Sequence, residues 1–470
     1  MLTKLAFKNF KAWKDSGEIR LAPLTVFFGA NSAGKSSITQ LLLLLKQTAA
    51  SPDRQQALQL GDGRTVVDLG TFDDVVHDHD LSHPLEFSLE WSLENSMKVL
   101  DPISKQEFSG TALHFDASLV VSTRRQPIVD SFRYELRSDG NPTLDLKMGR
   151  NRVGSAGAMA RKGKAQFELT SSRYALTRRH MRAWALPEPF RFYGFPDEVT
   201  AYFQNTAFAA DLVLELERVL SSIFYVGPLR EYPRRLYLWS GEIPEHVGTK
   251  GDRAIEAILA AGHRSFNLRP KQKTKYLPAL IAERLRDMGL IRDFEVKALG
   301  EHRKEYEVLV RTNPKLPFVK LTDVGFGVSQ VLPVIVECFY VPKRSVVIFE
   351  QPEIHLHPRV QSDLADLFVD AIRAREDSGP RDCQFIIESH SEHFLRRLQR
   401  RIAEKELSKD HAALYFIDTQ GGSARIQELD LDLFGNIANW PEGFFGDEMA
   451  DAVARSEAQA KRMSEGEKGE

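Results

Sequence analysis

The chain has 470 residues, 42% hydrophobic and 27% charged, the balance of a soluble globular protein large enough for two or three lobes. A net charge of −2 excludes a uniformly basic nucleic-acid binder, so any such contact must come from a local patch. Cys338 and Cys383 are too few for a disulfide framework and fit a reducing cytoplasm; no apolar run is long enough for a membrane span, and Met1 to Leu5 lacks a signal-peptide core.

Residues 2–28 alternate apolar and polar (Leu5, Phe7; Ile19, Leu21; Val26, Phe28), which predicts two or three strands. They lead into Gly29-Ala30-Asn31-Ser32-Ala33-Gly34-Lys35-Ser36, a G-x-x-x-x-G-K-S phosphate-binding loop between an apolar run and a helical one. In such a loop the backbone N–H groups turn toward a polyphosphate. Lys35 reaches the outer phosphates and Ser36 ligates Mg²⁺. The helix after it, Ser37 to Ala50, carries Leu41 to Leu45 and should be buried on most sides.

A loop covers 51–82, with a strand expected at Thr65–Leu69. From 83 to about 180 the pattern is β-rich, and 150–182 holds nine Lys or Arg against Glu168 alone. A helix is expected over 197–220, a strand at Tyr225 followed by Gly227-Pro228-Leu229-Arg230, helices over 252–261 and 276–288, and strands over 294–298 and 306–311. The remaining expectations are a helix over 330–340, a strand over 345–349, a helix over 358–375, a strand over 384–388, a basic helix over 391–407 and a strand over 413–418. No heptad run suits a coiled-coil arm, and 446–470 reads as frayed or disordered.

Ser345-Val-Val-Ile-Phe349 ends in Glu350 and has the form of a Walker B strand, whose carboxylate serves the Mg²⁺ shell. Before it, Gly325, Gly327 and Ser329 open a helix that can present N–H groups to a phosphate. After it, Phe385-Ile-Ile-Glu-Ser-His390 places a His at a strand's carboxyl end, the ligand side of an open α/β sheet. His355 and His357 have metal-pair spacing but no evident third ligand.

This order of motifs, with Lys8-Asn9-Phe10-Lys11-Ala12-Trp13 at the start, Glu350-Gln-Pro-Glu-Ile-His-Leu-His-Pro358 and Glu388-Ser-His-Ser-Glu-His393, resembles the soluble ABC-type ATPases: SMC heads, RecF and the OLD family of anti-phage defence. The resemblance is best over about 1–50 and 320–420. It implies an α/β P-loop head with an N-terminal antiparallel β-subdomain and a β-rich and helical insert, without a long coiled coil. The lobes would be 1–82 with Walker A, an 83–225 insert, a 226–320 connector, 321–445 with signature, Walker B and switch His, and a 446–470 tail.

The resemblance further implies ATP and Mg²⁺ sandwiched between two chains. Gly29, Asn31, Ser32, Ala33, Gly34, Lys35, Ser36 and Ser37 would bind in cis, and Gly325, Gly327 and Ser329 in trans. Ser36 and Glu350 would hold the metal, and His390 would sense the γ-phosphate. Two departures stand out. No Gln that touches Mg²⁺ can be placed, Gly70–Asp74 being a candidate region without one. Gln351 also replaces the usual catalytic carboxylate, which predicts slow hydrolysis because losing a general base costs about 10²- to 10⁴-fold. In an extended segment Glu353 would return to the face of Gln351 and substitute for it.

The nuclease domain of OLD proteins is not expected here; Asp430 and Asp432 read as a solvated turn. The first functional expectation is an ATP-gated switch, a homodimer or larger homo-oligomer acting on a separate effector protein, nuclease or toxin, in defence. The alternatives are a RecF-like repair ATPase and a non-catalytic ATP-binding scaffold. DNA contact through 150–182 and through Arg396, Arg397, Arg400 and Arg401 competes with solvated or ion-paired faces, and no membrane is involved.

Overall fold

The computed structural model describes residues 1–151, 166–179, 185–269, 273–377, 379–441, 444 and 453–459. At its centre lies a six-stranded sheet in the order β10 (Ile223–Val226), β17 (Val346–Glu350), β20 (Gln384–Glu388), β4 (Leu24–Gly29), β21 (Ala412–Gln420), β22 (Ser423–Glu428). The first five run parallel, and only β22 turns back. Parallel strands are covered on both faces, which explains the unbroken apolar runs that announce them. Alternate residues feed two cores. Phe27, Ile348 and Ile386 face the Leu-rich α1 (Lys35–Ala50) and α4 (Ala209–Ser221). Val26, Phe28, Phe349 and Phe385 face α5 (Ala254–Ala260), α6 (Leu277–Asp287), α7 (Phe326–Tyr340), α8 (Pro358–Arg373) and α9 (Glu392–Ala403).

Because β20 lies between β4 and β17, the carboxyl ends of all three meet at one edge, with Glu350 in register with Glu388 and Glu388 with Phe27. That edge receives the ligand in open α/β sheets.

A second, antiparallel sheet has the order β2 (Trp13–Asp15), β1 (Leu2–Phe10), β5 (Leu85–Leu100), β6 (Glu107–Val121), β7 (Pro127–Ser138), β8 (Asn141–Arg150), β9 (Phe167–Thr170), with β3 (Ile19–Arg20) also on β1. Phe7 of β1 registers with Phe87 of β5, so this sheet runs straight across the 82/83 boundary. Two small sheets complete the β structure. One joins β11 (Tyr237–Leu238), β15 (Glu305–Arg311), β14 (Asp293–Ala298) and β16 (Val319–Lys320). The other joins β13 (Lys275–Tyr276), β12 (Ser265–Asn267), β18 (Arg375–Glu376) and β19 (Gly379–Pro380).

Several expectations are corrected. Thr65–Leu69 is loop: Gln47 of α1 bonds both the N–H and the carbonyl of Val67, and Leu69 N–H goes to Leu60, so no strand neighbour is needed. Residues 197–220 split into α3 (Glu198–Tyr202) and α4. The short α2 (Phe72–Val75) occupies the Gly70–Asp74 region and supplies no Gln. Among the described residues no helix exceeds 16 residues, so none extends as a coiled-coil arm, and none is long and apolar enough to cross a membrane. Asp432 caps a turn through Phe434 and Asn436.

The basic run on α9 is ion-paired: Arg397 and Arg401 to Asp366, Arg396 to Glu392, and Arg400 to Glu404. In the 150–182 segment Arg152, Arg161, Lys162, Lys164 and Arg182 lie outside the described residues, as does most of 446–470. Arg150 and Arg178 stack on Phe167 and Phe203.

Glu337, fully buried on α7, accepts from Val247 N–H at 3.0 Å while its other oxygen has no partner. Burial pushes its carboxyl up to about 8, against that hydrogen bond and the charges of Lys46 and Arg381. The fold therefore prefers the protonated acid. Its contribution is complete below the ordinary value near 4.5 and is lost as pH rises through about 8. Glu337→Gln keeps an acceptor for Val247 and removes the titration. It should raise the melting temperature by several degrees at pH 8.5 and leave it nearly unchanged at pH 5, as read by thermal unfolding across that range.

Candidate nucleotide site

The loop between β4 and α1 is shaped by its glycines. Gly29 has φ +146, and a Cβ there would meet the Ile417 carbonyl oxygen of β21 at 2.1 Å. Gly34 has φ +104, with Trp13 Nε1 3.0 Å from where its Cβ would stand. Neither position accepts another residue without backbone movement. Trp13, fully buried, donates Nε1–H to the Gly34 carbonyl at 2.9 Å, so the antiparallel sheet clamps the loop from outside. No side chain caps α1, so its opening turn can face an anion, although Ser37 N–H already bonds the Gly34 carbonyl.

Asn31, Ser32, Gly34, Lys35, Ser36 and Ser37 line a cleft of about 380 Å³, together with Lys11, Ala12, Gln40, Gln351, Glu388 and His390. Ala33 is buried beneath the loop. Lys35 Nζ donates to the carbonyls of Ala30 (2.6 Å) and Gly29 (3.1 Å); burial lowers its pKa, opposed by Glu388 and Glu353.

The opposite wall carries the acids. Ser36 Oγ donates to Glu388, at 2.8 and 3.1 Å from its two oxygens. Glu350 accepts instead from Thr39 Oγ1 and Tyr225 OH, each at 3.0 Å. Burial, then the Glu350 charge, pushes Glu388 up to about 7. Burial also raises Glu350, against its two hydrogen bonds and the Arg230 charge.

Beyond Glu350 the chain is not extended. Gln351 has φ +44, and Ile354 and Leu356 N–H close turns onto Gln351 and Glu353. Gln351 faces the cleft, while Glu353 turns inward and accepts from Ser389 Oγ (2.9 Å) and His390 N–H (2.6 Å). The shared-face argument for Glu353 is therefore replaced by a brace on the His390 turn. Burial raises Glu353, and its second oxygen is buried without a partner. Burial and then the Lys35 charge lower the His390 pKa, although a hydrogen bond to the Gly29 backbone works the other way.

Ser36 and Glu388 bring hard oxygen donors together and would suit a Mg²⁺ taking its remaining ligands from phosphate and water, whereas Glu350, engaged by Thr39 and Tyr225, does not line the cleft. Among the described residues no group of three His, Cys, Asp or Glu could hold a metal by itself. His355 and His357 are exposed, and His357 caps α8 through Arg359 N–H.

The structure sets Gly325, Gly327 and Ser329 at the start of α7, away from the cleft lining. Gly325 is exposed and uncapped. Ser329 is buried, and its hydroxyl donates to the Phe326 carbonyl at 2.8 Å.

Sequence reasoning missed Glu388, Thr39, Tyr225, Lys11 and Arg230. The signal for Glu388 was available: an acid ends an apolar strand there just as Glu350 does.

Three family models match the chain. One described as "AAA ATPase domain" covers residues 1–121, and one described as "AAA domain, putative AbiEii toxin, Type IV TA system" covers 246–396. A "Protein of unknown function (DUF3696)" model covers 407–454. No curated protein sequence matches. Solved structures that align include an Smc head bound to the C-terminal winged-helix domain of ScpA (10% identity, 92% of this chain and 98% of that one, TM-score 0.41). The SMC head domain from Thermotoga maritima aligns at 10% identity over 91% and 99%, TM-score 0.36. A Pyrococcus furiosus Smc head with an extended coiled coil, bound to the C-terminal domain of ScpA, aligns at 11% over 97% and 99%, TM-score 0.38. ATPase-domain models thus match over the phosphate loop and again over Glu350 and His390, which supports an ATP-binding ATPase.

Proposed function

We propose that the chain is a slow ATP-hydrolysing switch that pairs with a second copy around ATP and controls a separate effector protein, with anti-phage defence as the setting that the motif resemblance favours. The observation that carries the reading is the convergence of Lys35, Ser36, Gln351, Glu388 and His390 on one cleft. Lys35 exchanges its bonds to Gly29 and Ala30 for β- and γ-phosphate oxygens. Ser36 on α1 and Glu350, with Glu388 beside it in the sheet, would hold Mg²⁺, which would offset charge on the phosphates. Gln351 orients water but cannot take its proton, which is why turnover is slow. Glu353 contributes more than Gln351, by fixing Ser389 and His390.

In the pair, the open first turn of α7 approaches the partner's cleft. Gly325 and Gly327 offer N–H groups to the γ-phosphate, and Ser329 turns outward to join them. A second reading, a non-catalytic ATP-binding scaffold, is favoured by Gln351 alone. DNA contact through 150–182 gains nothing from the described residues of that segment.

Single-turnover ATP hydrolysis separates the two readings. The unmodified chain should hydrolyse ATP, and Lys35→Ala or Glu388→Gln should lower the rate by about 100-fold or more. Glu353→Gln should cost more than Gln351→Ala. If it leaves the rate intact while ATP still binds, Glu353 has no part in hydrolysis. Pairing is tested at Gly325, where φ is −60 and a Cβ would meet nothing within 4 Å. Gly325→Asp should leave the melting temperature unchanged but abolish the doubling of mass that light scattering should show for the parent with ATP and Mg²⁺.

A further inference from the structure

Gly227-Pro228-Leu229-Arg230 follows β10, whose last residue, Val226, is in register with Phe349. The chain therefore leaves β10 at the sheet edge that holds Glu350 and Glu388. Arg230 is only 8% exposed, and Nε, Nη1 and Nη2 are buried with no hydrogen-bond partner.

The charged and polar groups that face it are Tyr225, Glu350 and Glu353. Glu350 has both oxygens engaged by Thr39 and Tyr225, and Glu353 has one engaged by Ser389 and His390. Burial lowers the guanidinium to about 10, so it stays charged at neutral pH. A buried cation with unused donors is costly unless an anion comes to it, and a planar guanidinium suits phosphate oxygens.

Arg230 lies on the Glu350 side of the sheet edge, across β20 from the loop end of β4. The loop holds the inner phosphates, so the terminal phosphate is the one that extends toward Glu350. We infer that Arg230 is a ligand for the terminal phosphate of a nucleoside triphosphate in the Lys35–Ser36 cleft, letting a single chain distinguish ATP from ADP before any partner arrives. The inference rests on the proposed nucleotide site and adds to it a discriminating group in cis.

The test is calorimetric binding of Mg²⁺·ADP and of a non-hydrolysable Mg²⁺·ATP analogue to the full chain, with thermal unfolding alongside. Arg230→Met keeps the bulk and removes the charge. It should bind ADP within about twofold of the parent and the triphosphate about tenfold or more weakly, the loss expected for charge-assisted hydrogen bonds. Its nucleotide-free melting temperature should equal or exceed the parent's, because an uncompensated buried charge is gone.

Equal affinity of Arg230→Met and the parent for the triphosphate overturns the inference and leaves the nucleotide site standing. So does a variant that melts lower without nucleotide and binds both nucleotides equally weakly, the signature of a solvent-bridged structural pair with Glu353. A parent that binds neither nucleotide, or a Lys35→Ala variant that binds as well as the parent, removes the site itself. Should Arg230→Met not fold, Arg230→Lys decides: a loss confined to the triphosphate supports the inference, and no loss overturns it.

Discussion

Three carboxylates, the buried Glu353 and Glu388 and the half-buried Glu350, gather at one end of one sheet, and the rest of the site is arranged around their mutual repulsion. The cause is topological. Threading β20 between β4 and β17 brings two strand-terminal acids into direct register, and the turn after β17 adds the third. The chain offsets them only partly, with Lys35, Arg230 and hydroxyls from Ser36, Thr39, Tyr225 and Ser389. Burial first, and then the Glu350 charge, push the Glu388 carboxyl up to about 7. Such an edge is poorly neutralised by its own residues, which is the electrostatic basis for the proposed cation and phosphate site.

What could be read in the sequence was what is local. The phosphate loop, its strand and its helix occupy one continuous stretch, and β17, β20 and α9 were legible because buried parallel strands and amphipathic helices carry strong periodicity. What could not be read depends on neighbours distant in sequence. Ser36 meets Glu388 across 352 positions, and the alternation at Thr65–Leu69 imitated a strand because Gln47 satisfies that backbone from a helix. The inward turn of Glu353 follows from Gln351 adopting φ +44, which an extended reading of the segment could not supply. Likewise, β1 and β5 lie on either side of residue 82 yet are hydrogen-bonded neighbours, a pairing that local pattern does not show.

The two halves of the proposed composite site are built to different standards. On the loop side the contacts are specific: Trp13 holds Gly34, Ser36 holds Glu388, and Glu353 holds His390, while Arg230 and one Glu353 oxygen are left unpartnered. On the α7 side the first turn has no cap, Gly325 faces open space, and Phe326 is exposed. Gly325 has an ordinary backbone conformation, so local geometry gives no reason for glycine there. Room for close approach of another surface does.

The segment from Gly227 to Leu238 ties the two halves together. Arg230 lies within range of the Glu350 and Glu353 charges without a hydrogen-bond partner. Two residues on, Tyr232 is 71% exposed and packs edge-on against Phe326 at 5.2 Å, in the first turn of α7. Arg235 then pairs with Asp323, just before that turn. A short, stiff stretch containing Pro228 and Pro233 thus has one end beside the cleft and the other on the proposed docking face. Occupation of the cleft by an anion that engages Arg230 would bias where Tyr232 and Phe326 stand. Because neither the acid cluster nor the α7 turn is fully satisfied without a partner, both ends of this link are free to answer to binding. In the proposed switch, this link is the route by which nucleotide state would become a change of surface.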